Sequence, residues 1–106
     1  MIILDRKKIA IEFAKSLNHP EIEKIILYGS VALGEDSEDS DIDILILTSK
    51  ESDKMKIEDD IYSKIFDIML KTKENISAKI KSMDYYKKYK DFSFFVDVDA
   101  DGIVIS

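Results

Sequence analysis

The chain has 106 residues, and 22 acidic against 16 basic side chains give it a formal charge of −6, the wrong sign for a protein built mainly to grip nucleic-acid phosphates. There is no cysteine, which excludes disulfides and thiolate metal sites, and a single histidine, His19, cannot make a zinc site alone. The length reads as one domain, 1–106, above the size at which staples are usually needed.

Met1-Ile2-Ile3-Leu4 is apolar but too short for a signal peptide or a membrane span, so a cytoplasmic chain is expected. Asp5 reads as an N-cap, and Ile9, Phe13 and Leu17 form an apolar stripe at helical spacing up to Asn18. His19-Pro20 breaks that helix, which makes His19 a loop residue. Glu23 to Tyr28 is a short strand centred on Ile25-Ile26-Leu27. Ser30 to Leu33 has room for one helical turn before Gly34 ends it, and Glu35 to Ser40, without an apolar residue, is a solvated acidic loop. Asp41 to Thr48 is the clearest strand. Ile42, Ile44 and Ile46 lie on one face, with Asp41, Asp43, Leu45 and Leu47 on the other; a strand apolar on both faces belongs at the centre of a sheet.

Ser52 to Ser63 reads as a helix capped by Ser52 or Asp53, with an uneven stripe of Met55, Ile57, Ile61 and Tyr62. Ile65 to Leu70 reads as a third strand, with Phe66, Ile68 and Leu70 on one face and Asp67, Met69 and Lys71 on the other. From Lys73 to Lys90 the pattern turns helical through Ile76, Ile80, Met83 and Tyr86 to Tyr89. Rings from Tyr85 to Phe95 are interleaved with Lys87, Lys88 and Lys90. Such a mixture can stack on nucleic-acid bases, but an amphipathic helix with its rings in the core is the favoured reading. Asp97-Val98-Asp99-Ala100-Asp101-Gly102 matches the first half of a calcium loop. The glutamate needed at the loop's twelfth position would fall beyond Ser106, and Ile103-Val104-Ile105 is strand-like, so a polar turn feeding a last strand is expected instead.

The stretch that carries chemistry is Gly29-Ser30, ten residues, then Asp41-Ile42-Asp43. A Gly-Ser turn opening a short helix offers backbone N–H groups to an anion. Two carboxylates on alternate strand positions face the same side, roughly 6.6 Å apart by strand rise. Together they make the two halves of a metal–phosphate site, and two acids at the end of a buried strand are costly unless a cation compensates them.

This arrangement, from Ile25 to Leu47, resembles the signature of the polymerase β nucleotidyltransferase superfamily, and the small size points to its minimal members, the MNT domains that pair with HEPN proteins in toxin–antitoxin modules. Asp101 to Ile105 resembles the family's closing strand. One departure is Leu33, where the family usually has arginine before the second glycine. The resemblance implies an α/β (α+β) fold, a small mixed sheet with helices packed mainly on one face. The strands carrying the two half-sites would run antiparallel and place the site on one edge of the sheet, open to solvent. It further implies transfer of AMP from ATP to a hydroxyl. Gly29 and Ser30 would hold the β- and γ-phosphates, Asp41 and Asp43 would bind two magnesium ions, and Asp67 would be the third carboxylate, supplied by a neighbouring strand. With no acceptor-binding domain of its own, the chain would act on a partner, a HEPN-type RNase toxin modified on tyrosine. The alternative is a catalytically weak or inert antitoxin that blocks its partner by binding; a third reading is a regulatory nucleotide-binding domain without transfer.

Overall fold

Asp5 caps the first helix, its carboxylate accepting from the backbone N–H groups of Lys7 and Lys8. The helix, α1 (Arg6–Ser16), buries Ile9, Ala10, Phe13 and Ala14. The structure, a computed structural model, describes residues 5–49 and 54–106; the proposed cap at Ser52 or Asp53 and the Met1–Leu4 segment lie outside them. After α1 come β1 (Ile22–Tyr28), α2 (Gly29–Leu33), β2 (Ile42–Thr48), α3 (Lys54–Thr72), β3 (Ile76–Ser82), α4 (Met83–Tyr89), α5 (Ser93–Asp101) and β4 (Ile103–Val104).

The strands form one mixed sheet in the order β3-β2-β1-β4. β1 is antiparallel to β2 and β4, while β3 runs parallel to β2, a connection that needs a crossover, here α3. β2 is central and buried on both faces, as its sequence demands. Ile42, Ile44 and Ile46 join Ile25, Leu27, Ile76 and Ile80 against α1 and α3 in the larger core. Leu45 and Leu47, with Ile26, meet Phe95 and Val98 of α5, and Tyr86 and Tyr89 of α4 pack against them. The helical layer expected on one face is present, and a smaller one covers the other. Among the described residues no helix is long and apolar enough to cross a membrane.

Three expectations change in the second half. Ile65 to Leu70 is not a strand but the last part of α3. Ile57, Ile61, Ile65 and Ile68 recur at helical spacing and enter the larger core, whereas Phe66 and Leu70 remain 55% and 62% exposed. The alternation at 66, 68 and 70 was the weaker period. Lys73 to Lys90 divides into strand and helix. Lys73, at φ 63°, stops α3; then Ile76, Ala78 and Ile80 alternate into the core, and the Ser82 hydroxyl accepts from the Tyr85 N–H to start α4. Finally, Asp97 to Asp101 lie in α5 rather than in a turn, and only Ile103 and Val104 form the closing strand.

Candidate active site

β1 ends at Tyr28, which pairs with Asp43 in the β1–β2 register. The chain then turns at Gly29 with φ +75°, a left-handed conformation in which a side chain is strained. Space is also absent there: a Cβ on Gly29 would collide with Oδ2 of Asp43. The two halves of the motif are therefore in contact. α2 that follows is one short turn of helix, held by buried Val31 and Ala32 and closed by Gly34 at φ 72°, whose N–H donates to the carbonyls of Ser30 and Val31. Because β1 and β2 are the two inner strands, the site stands at the end of the sheet's middle and not on an edge strand.

Asp41 is exposed just ahead of β2, and Asp43, the second residue of the strand, is half-buried. Burial pushes the Asp43 carboxyl above the ordinary carboxylate range, the Asp41 charge pushes it further, and Lys79 works in the opposite direction. The Tyr28 phenol is pushed up to about 12, first by burial and then by the charge of Asp43. A cation at this end of the sheet would relieve both acids. Beside the turn, Tyr28, Gly29, Leu33, Phe94, Asp97 and Asp101 line a groove of about 420 Å³.

Asp67 does not join this group. It is exposed on α3, in a groove with Ile9 and Phe13 of α1, on the sheet face opposite that of Asp43. The expectation that it stands on the adjacent strand fails because that strand is β3, which carries no acid. Among the described residues no three His, Cys, Asp or Glu side chains are gathered as a metal cluster. The pair Asp41 and Asp43 fits a single divalent cation shared with a ligand; a site that needs three carboxylates does not fit.

One residue that holds the site together escaped the sequence reading. Arg6, the chain's only arginine, reaches from α1 to the acidic loop that separates the two half-sites. Its Nε donates to Glu74 at 2.8 Å and its Nη1 to Asp36 at 2.9 Å, while Nη1 and Nη2 also donate to the carbonyls of Ser37 and Glu38. Burial works against the charge, but the hydrogen bonds to Glu74 and Asp36 outweigh it and raise the Arg6 pKa. The acids of Glu35 to Ser40 are thus partly fastened rather than merely solvated. The only sequence signal was a lone arginine beside a cap residue, with an acidic loop 30 residues away. His19, read as a loop residue, lies in the α1–β1 connection and bonds Asp60 of α3 at 2.7 Å.

Residues 7–105 match the family model described as Polymerase beta, Nucleotidyltransferase. A Methanocaldococcus jannaschii protein bearing the provisional name of a protein adenylyltransferase is 36% identical over 91 residues, covering 86% of this chain and 85% of that protein. Among solved structures, a toxin–antitoxin complex with AMP-PNP superposes with a TM-score of 0.59 at 20% identity, over 97% of this chain and 73% of that one. A variant of the MntA–HpeT toxin–antitoxin superposes at 0.57 and 18% identity, with the same coverage of 97% and 73%. At such identities these two structures speak for the fold alone. With a family match over nearly its whole length and a relative above a third identical, the chain belongs to the polymerase β nucleotidyltransferases.

Proposed function

We propose that this nucleotidyltransferase moves AMP from ATP onto a hydroxyl, tyrosine above all, of a partner protein, and that the partner is a HEPN-type toxin. The observation that supports the reading is the contact between Gly29 and Asp43, which brings the turn we assign to phosphate against the acid we assign to metal. In this scheme the Gly29-Ser30 turn presents backbone N–H groups to the β- and γ-phosphates. Asp41 and Asp43 would hold magnesium, which when bound supplies positive charge between acids and polyphosphate. The acceptor oxygen forms a bond to the α-phosphorus, the bond to the bridging oxygen breaks, pyrophosphate leaves, and the hydroxyl proton passes to solvent water. Asp67 has no part, given its place on α3. Adenylyl transfer to protein is supported by the provisional name of the 36% identical relative, and a nucleotide and a toxin partner by the names of the structural neighbours. That the partner is of HEPN type rests on the motif's resemblance.

A second reading keeps a specific observation behind it. With no acid on β3 and Leu33 in place of the usual arginine, the chain would neutralise its partner by binding, with little or no transfer. Mass spectrometry of the protein encoded beside this one, after incubation with the chain, ATP and magnesium, separates the two. An AMP adduct on a partner tyrosine is expected; an unmodified partner in a stable complex would favour the second reading.

A further inference from the structure

β3 runs parallel to β2 with Asp43 opposite Ser77 and Leu45 opposite Lys79. Paired residues share a face of the sheet, so Lys79 stands on the Asp43 side, one step further along. The position is not left to solvent alone. Lys79 Nζ lies 4.5 Å from the centroid of the Phe94 ring; Phe94 meets Tyr28 edge-to-face at 5.4 Å; and Tyr28 pairs with Asp43. Asp43, Tyr28, Phe94 and Lys79 therefore form a connected group at one end of the sheet.

A carboxylate that carries a divalent ion adds one net positive charge to a site. A lysine ammonium adds the same charge with no metal. We propose that this site takes one divalent cation, on Asp41 and Asp43, and that the Lys79 ammonium supplies from β3 the further positive charge that the nucleotide polyphosphate requires. The inference rests on the nucleotidyltransferase reading above and narrows it, replacing the two-ion arrangement expected from the motif. Electrostatics favours it twice. A second divalent ion beside Lys79 would meet repulsion, and no acid on β3 would offset that repulsion. Lys79 is also exposed, so its head group is free to turn from the Phe94 face toward a bound phosphate.

The test counts metal. The whole chain is loaded with Mn2+ and the non-hydrolysable α,β-methylene analogue of ATP, and native mass spectrometry gives the number of Mn2+ per nucleotide-bound chain. One ion is expected in the wild type. Lys79→Gln should keep one ion and lose roughly tenfold in affinity for the analogue, the scale of one charge-assisted contact. Lys79→Asp should gain a second ion. Two ions in the wild type, undiminished nucleotide affinity in Lys79→Gln, or a single ion in Lys79→Asp would each overturn the proposal. A wild type that takes up neither Mn2+ nor nucleotide would instead remove the nucleotidyltransferase reading of the site, and this inference with it. Lys79 lies outside both cores, so the variants should fold, and circular dichroism checks that they do.

Discussion

Adding one methyl group at Gly29 tests whether the turn and the carboxylate are joined as the structure shows. In Gly29→Ala the backbone at φ +75° must accept a Cβ, at about 1–2 kcal/mol for the left-handed conformation alone. That Cβ would also collide with Asp43 Oδ2 and sit 3.2 Å from its Cγ. Driving the half-buried carboxylate off its rotamer adds about 1–1.5 kcal/mol. The sum, about 2–3.5 kcal/mol, should lower the melting temperature by roughly 10–20 °C in a domain of this size. A double-mutant cycle separates the two costs. In an Asp43→Ala background the collision disappears and the backbone cost stays, so Gly29→Ala should then cost only about 1–2 kcal/mol, leaving a coupling of about 1 kcal/mol or more. Thermal melts of the four proteins in EDTA give all the terms. Additivity within about 0.3–0.5 kcal/mol would show that the turn and Asp43 do not touch, and the site geometry would fail with it.

The double change Asp41→Asn with Asp43→Asn should keep or raise the stability of the metal-free chain, because it removes like charges at the end of a buried strand, one of them half-buried; a clearly lower melt in EDTA would count against this. The pH dependence has a definite sign. The raised Asp43 pKa means the folded chain keeps that proton when the unfolded chain has lost it, so its stability contribution is full below the ordinary carboxylate range and falls as pH rises through the raised value. Metal-free wild type and the single variant Asp43→Asn should accordingly melt most alike near about pH 3, with the variant gaining toward neutrality. Arg6→Gln, which leaves Asp36, Glu74 and two loop carbonyls without their charged donor, should cost about 2–3 kcal/mol and speed proteolysis in residues 35–40; an unchanged cleavage rate would show that the clamp is not needed. Leu33 is 47% exposed beside Gly29, so Leu33→Arg should leave stability within about 0.5 kcal/mol and modestly strengthen ATP binding by calorimetry; a tenfold loss of affinity would show that arginine is unsuited to this groove.

The first half of the chain was readable because each local signal agreed with its neighbours. Asp5 announced a cap, Gly29 and Gly34 took the positive φ values that a tight turn needs, and the apolar faces of β2 demanded a central place. The antiparallel pairing of β1 and β2 followed from the need to bring Gly29 to Asp43. Legibility stopped where two periods competed. Phe66, Ile68 and Leu70 alternate like a strand, yet the choice lay with Ile57, Ile61 and Ile65, whose helical spacing continues to Ile68. Misplacing that strand carried Asp67 into the site and left the true neighbour, Ile76 to Ser82, inside a supposed helix; Lys79 was thus hidden. Arg6 was out of reach for another reason. Its partners at 36, 37, 38 and 74 come together only once the fold has formed, and no local pattern encodes such contacts.

The most direct measurement follows the label on ATP. The chain, the protein encoded beside it as the proposed acceptor, and magnesium are incubated with ATP labelled at the α-phosphate and, in parallel, at the γ-phosphate, with wild type set beside the Asp41→Asn, Asp43→Asn variant. Label from the α position should reach the proposed acceptor and label from the γ position should leave as pyrophosphate, with both signals absent in the variant. Transfer from the γ position, or equal labelling by the variant, would contradict nucleotidyl transfer at the Gly29–Asp43 junction.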